Sequence, residues 1–217
     1  VLTTAQVAAL TTAQIVALTT GQIASLNSTQ LQALSTTQVA AIETVDIAAL
    51  TTSQIVALTT AQVAAMTSTQ VAALSTATLA AMTTNQIANM ETTDVAALTT
   101  TQISKLTDDQ LVNMTTAQVS NLSSAAVKAL TTAQLSKLSA EQVTALSSTQ
   151  VKALSSDQVN ALTIDQLQAI DKADVAAMTT AQISSISTTQ IANLSGDQVK
   201  ALSSEQVRAL TTGQIAK

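Results

Sequence analysis

Apolar residues recur along this chain with a period of eight that never slips. Stepping by eight from Leu2 to Leu210 meets 27 positions, all Leu, Ile or Met. Stepping by eight from Val7 to Ile215 meets another 27, all Val, Ile or Leu. The polar positions keep the same frame. The residue after the Leu class is Ser or Thr in 23 of 27 units, the exceptions being Asn27, Glu43, Glu91 and Asp171, and Gln follows three residues later in 22 of 27. Ser/Thr-x-x-Gln is a capping box, in which the hydroxyl accepts from the third helical amide and the Gln side chain reaches back to the cap amide. Asn serves as well at the cap. Every octad therefore carries its own helix start.

One long helix does not suit this pattern. Eight residues make about 2.2 turns, so the apolar stripe would rotate by roughly 80° per repeat and no single partner could cover it. A β-solenoid is disfavoured too, because Val7 and Leu10 stand three apart. A strand sends such a pair to opposite faces, and a helix keeps them on one. The sequence thus predicts an all-α, right- or left-handed solenoid of very short helices, one per octad, with the Val and Leu classes inward. Helices this short need stacked neighbours, since nucleation is costly. Three octads per coil would give a triangular prism, with two or four as alternatives. Lys128, Lys152 and Lys200 share a register modulo 24, which favours three. A three-octad coil makes a rod roughly 75–90 Å long at ordinary helix spacings. The penultimate residue of each unit is Ala in 18 of 27, which suggests a tight corner or a close contact there. With no interruption of the frame, residues 1–217 read as a single octapeptide-repeat solenoid of about 27 repeats, excised from a longer array.

Composition narrows the chemistry. The chain has no His, Cys, Trp, Tyr, Phe or Pro and only three Gly, yet 47% of its residues are hydrophobic. Its core is built from aliphatic side chains alone. The usual zinc sites, thiol nucleophiles and Ser-His-Asp arrangements lack their residues, and so do base-stacking platforms. A net charge of −5 with 10% charged residues argues against nucleic acid. No apolar run reaches the roughly 18 residues of a membrane helix, so no membrane insertion is expected. No cofactor is expected either.

The uninterrupted L-T-T-x-Q-[VI]-x-A-[LM] octads resemble the octapeptide-repeat segments of very large bacterial proteins, triangular-prism solenoids of short helices known as the Toblerone fold. The resemblance covers the whole chain. It implies an architecture and a spacer role in a long secreted or surface-associated protein, outside the cell or on its surface, and no active residues. Leu-Thr-Thr-Ala-Gln-Val-Ala-Ala is also similar to the opening helix of TAL-effector repeats, but that unit is far longer and no base-reading pair exists here.

Four groups of residues are candidates for more than architecture. In three octads an acidic cap accompanies Asp in place of Gln: Glu43 with Asp46, Glu91 with Asp94, Asp171 with Asp174. Clustered carboxylates suit a hard cation, whereas the structural reading is favourable charge at a helix N-terminus. The structural reading is preferred, and these six remain weak metal candidates. The paired hydroxyls (Thr3 and Thr4, Thr11 and Thr12, and onward) would form ladders suited to ice or a glycan, although Asp108, Ala140, Ile164, Lys172 and Gly196 interrupt the second row. Every basic residue lies at or beyond Lys105, and Lys128, Lys152, Lys200 and Arg208 follow the Val class, which points them outward. Asn27, Asn113, Asn121 and Asn193 stand in glycosylation frames that the repeat creates by itself, and the five Met are core fillers.

The function expected is a non-enzymatic stiff spacer, stalk or scaffold, with neighbouring repeats of the parent protein as its partners. A surface-binding module and an end-to-end self-assembling module are the alternatives.

Overall fold

Each cap begins a helix of its own. The computed structural model describes residues 2–216 and contains 27 helices, α1 (Thr4–Ala8) to α27 (Thr212–Ile215), one per octad and four to six residues long, with no strand among the described residues. The cap of α1 is representative. Thr3 Oγ1 accepts from the Gln6 amide at 3.3 Å, and Gln6 Oε1 accepts from the Thr3 amide at 2.8 Å. Asn27 does the same for α4 (Ser28–Gln32), with both bonds near 3 Å. Each such cap stabilises its helix by about 1 kcal/mol.

The corners explain how the chain turns between its 27 helices without Pro and with three Gly. Leu58 (φ −63°, ψ 140°) closes α7 (Thr52–Ala57), and Thr59 (φ −70°, ψ 159°) caps α8 (Thr60–Ala64). Two successive extended residues make the bend, a conformation open to any L-residue. Among the described residues there is no cis peptide and no positive φ. The penultimate Ala is therefore not the corner. Ala65 still has helical angles (φ −89°, ψ −5°) and is half-buried. Asn89 and Asn113 occupy the equivalent position by donating from Nδ2 to the carbonyl four residues back, each at 2.8 Å.

The chain divides into two compact units, residues 1–114 and 115–217. In the first, every third helix stacks: α1, α4, α7 and α10 (Thr76–Ala81) form one column. A second column runs α2 (Thr12–Val16), α5 (Thr36–Ala40), α8, and a third runs α3 (Thr20–Ala24), α6 (Thr44–Ala48), α9 (Ser68–Ala73), α12 (Thr92–Ala96). One coil is therefore three octads, or 24 residues. The second unit repeats the scheme, with α16 (Ser124–Ala129), α19 (Ser148–Ala153), α22 (Lys172–Ala177) and α25 (Gly196–Ala201) in one column.

Inside the inner coils the Val class is sealed. Val7, Ile15 and Ile23 are already fully buried in the first coil, whereas Val199 and Val207 in the last described coil are exposed. The following coil is thus what covers this class. Burial of such a side chain is worth about 1.5–3 kcal/mol, which offsets the nucleation cost of a five-residue helix. Leu34, Ile42 and their equivalents complete the core.

Candidate functional site

The geometry that recurs along this molecule lies at the Gln position. Oε1 caps its own helix, and Nε2 points into the coil before. Gln38 Nε2 donates to the Leu10 carbonyl at 2.6 Å and approaches those of Val7 and Ala8 at 3.3 Å. Gln54 meets Ile23, Ala24 and Leu26 at 3.0, 3.2 and 3.0 Å. Gln182 repeats this in the second unit on Val151, Lys152 and Leu154 at 2.9, 3.4 and 2.8 Å. The carbonyls are those at the C-terminus of a helix and its corner, and the Val-class one also accepts the amide of the Leu three residues on, as Val7 does from Leu10 at 3.2 Å. A single side chain thus closes the start of one helix and the end of another, and latches coil to coil. Read as a cap alone, the Gln hides this second role. The signal was its uniformity: a capping box accepts Glu or Gln, yet the third helical position is never Glu in 27 octads. Only Gln brings a donor.

The three acidic octads break the latch. Asp46 and Asp94 are buried, and their carboxylates receive hydroxyl bonds from the coil before: Thr20 Oγ1 to Asp46 Oδ1 at 2.7 Å, Ser68 Oγ to Asp94 Oδ1 at 2.7 Å. Asp174 is paired in the same way with Ser148. These Asp side chains are therefore not solvated charges at a helix start. The caps also differ from expectation. Glu43 and Glu91 make no side-chain cap bond, whereas Asp171 accepts from the Ala173 amide at 2.8 Å. Burial pushes the Asp94 carboxyl above its ordinary value, the Ser68 bond works against that, and Glu91 adds to it. Asp46 Oδ2 is buried with no partner. The pairs do not converge: α9 lies between α6 and α12 in their column, and among the described residues no three acidic, His or Cys side chains are grouped to hold a metal. Thr78 replaces Gln in another octad and reaches the Leu50 carbonyl at 3.3 Å.

The other candidates find plainer places. Thr12, Thr36, Thr60 and Thr84 stand at the first position of stacked or register-equivalent helices and are exposed or half-exposed, which makes a hydroxyl row. Lys128, Lys152, Lys200 and Arg208 are exposed. Of the Asn in glycosylation frames, Asn27 is a cap, and Asn113, Asn121 and Asn193 donate from Nδ2 to a carbonyl four residues back at 2.8 Å. Met66, Met82, Met90, Met114 and Met178 are buried. An open hollow of about 490 Å³ at the first described coil is lined by Leu2, Leu10, Leu18, Leu26, Gln6 and Gln22 among others. No helix of the described residues is long and apolar enough to cross a membrane.

A family model described as "ALTTAQ repeat" matches the chain in tandem at residues 39–76, 87–124, 143–171 and 167–204, together well over half its length. No curated protein matches it.

Proposed function

The chain belongs to the ALTTAQ repeat family, and on that premise we propose that this structural repeat module serves as a stiff spacer or scaffold within a larger, secreted or surface-associated protein. The observation that carries this reading is the latch. Gln38, Gln54, Gln62 and Gln70 each tie their octad to the coil before through the same carbonyls. Every added coil brings its own seal, cap and latch, so length grows without new contacts having to evolve. The octad frame runs through both units unbroken, which supports reading residues 1–217 as one array. A non-catalytic role goes with this reading: the hollow at the first described coil presents Leu, Gln and Ser side chains. The test is deletion of one whole coil, residues 51–74. Small-angle scattering should show the maximum dimension shortened by about 8–10 Å with an unchanged helical spectrum. An unchanged dimension, or a collapse of helicity, would count against a spacer built of interchangeable coils.

A further inference from the structure

In the Gln octads, the point occupied by Nε2 is a small polar nest. It lies within 2.6–3.3 Å of three carbonyls for Gln38 and within 3.0–3.2 Å for Gln54. By the same register, the octad of Asp46 faces the carbonyls of Ile15, Val16 and Leu18. Asp46 has no donor to give them, and the Leu18 carbonyl receives no hydrogen bond among the described residues. The Asp46 carboxylate is one methylene shorter than the Gln amide, so its oxygens stop short of the point that Nε2 takes in the Gln octads. Asp46 is itself only 2% exposed. Thr20 satisfies its Oδ1, while Oδ2 is buried and unpartnered. Asp46 thus brings an acceptor to carbonyl acceptors where the Gln octads bring a nitrogen. A buried carboxylate oxygen left without a donor is costly.

We propose that this gap, between Asp46 Oδ2 and the carbonyls of Ile15, Val16 and Leu18, binds a monovalent cation of potassium or ammonium size in place of the missing amide. The spacing selects the ion. Calcium takes six to eight oxygens at about 2.3–2.6 Å and magnesium needs about 2.0–2.1 Å. The Asp46 octad offers one carboxylate, and in the Gln octads the equivalent carbonyls stand 2.6–3.3 Å from Nε2, a longer contact. One carboxylate balances one positive charge. Neither other acidic octad is equivalent, because the unpartnered buried oxygen is found at Asp46 alone among the described residues.

The experiment compares thermal unfolding of the 217-residue chain in potassium, ammonium and choline chloride at matched ionic strength, with Asp46→Gln and Asp46→Asn alongside. Potassium or ammonium should raise the melting temperature over choline by about 2–4 °C in the native chain. Asp46→Gln, which restores the latch, should melt higher than the native chain and show no cation dependence. Asp46→Asn should lose the cation dependence while keeping the side-chain shape, so the result does not rest on one variant folding. In crystals soaked with rubidium, anomalous density should appear between Asp46 and the Leu18 carbonyl. Equal melting in all three salts, or a water alone at that point, overturns the proposal, as does a cation effect that persists in both variants. The spacer reading stands or falls separately on the coil deletion.

Discussion

Gln70 Nε2 donates to the carbonyl of Ile42, 28 residues back, at 2.7 Å, while Oε1 of the same side chain accepts from the Thr67 amide at 2.8 Å. Replacing one atom separates the two roles. Gln70→Glu keeps the capping oxygen but turns the latch donor into an acceptor facing the Val39, Ala40 and Ile42 carbonyls. The expected loss is about 3 kcal/mol at neutral pH, because a buried charge is left against acceptors. Thr67→Ala removes the cap hydroxyl, with an exposed methyl, while leaving the Gln70 latch in place, and should cost about 1 kcal/mol. The introduced carboxyl would titrate above its unfolded value, so its penalty should shrink as pH falls through that raised value. Denaturant unfolding of the two variants gives the comparison. An equal loss for both would mean that the Gln acts only as a cap.

The octad of Thr78 is a natural test of the same bond. Its hydroxyl reaches the Leu50 carbonyl at only 3.3 Å, and its capping partner Ser75 receives no amide oxygen in return. Thr78→Gln should restore both contacts and stabilise the chain by about 0.5–1.5 kcal/mol, read as a higher melting temperature. A fall in stability would show that the corner around Leu50 has closed onto the smaller side chain.

Much of this architecture was legible because two independent patterns agree. The i, i+3 spacing of Val7 and Leu10 fixed helix over strand, and the caps at Thr3, Thr11 and Thr19 fixed where each helix starts. The shared register of Lys128, Lys152 and Lys200 pointed to the 24-residue coil. What could not be read were relations between coils. No local rule says that Gln38 will meet Leu10, or that Asp46 will be buried under Thr20, since these pairs depend on how one coil seats on the next. The penultimate Ala pointed to a tight corner or a close contact, and of these the corner is made elsewhere, by two extended residues of ordinary size at Leu58 and Thr59.

Adjacent residues on α7 offer a sharp check on which face is inward. Ile55 is 0% exposed and Val56 is 43% exposed. Ile55→Ala removes buried atoms from a layer with no aromatic side chain to fill the space, at an expected cost of about 2–5 kcal/mol. Val56→Ala should change stability by no more than about 0.5 kcal/mol. Chemical denaturation of the pair measures both, and similar losses would mean that the coil is rotated from the orientation described.

Asp94 ties stability to pH in a stated direction. Its folded pKa lies above the ordinary 3.8, chiefly because burial disfavours the charge, with Glu91 adding to the shift and the Ser68 hydroxyl opposing it. Between the two values the folded chain binds more protons than the unfolded one, so stability falls as pH rises through the raised pKa. Below 3.8 both states are protonated and the penalty is absent. Asp94→Asn keeps an acceptor for Ser68 and removes the charge. The variant should be more stable than the native chain near neutrality, and the difference should close as pH drops and vanish below 3.8. Thermal melts of both proteins across that range test the sign. A variant less stable than the native chain at neutral pH would show that the Ser68 bond to a charged carboxylate outweighs burial.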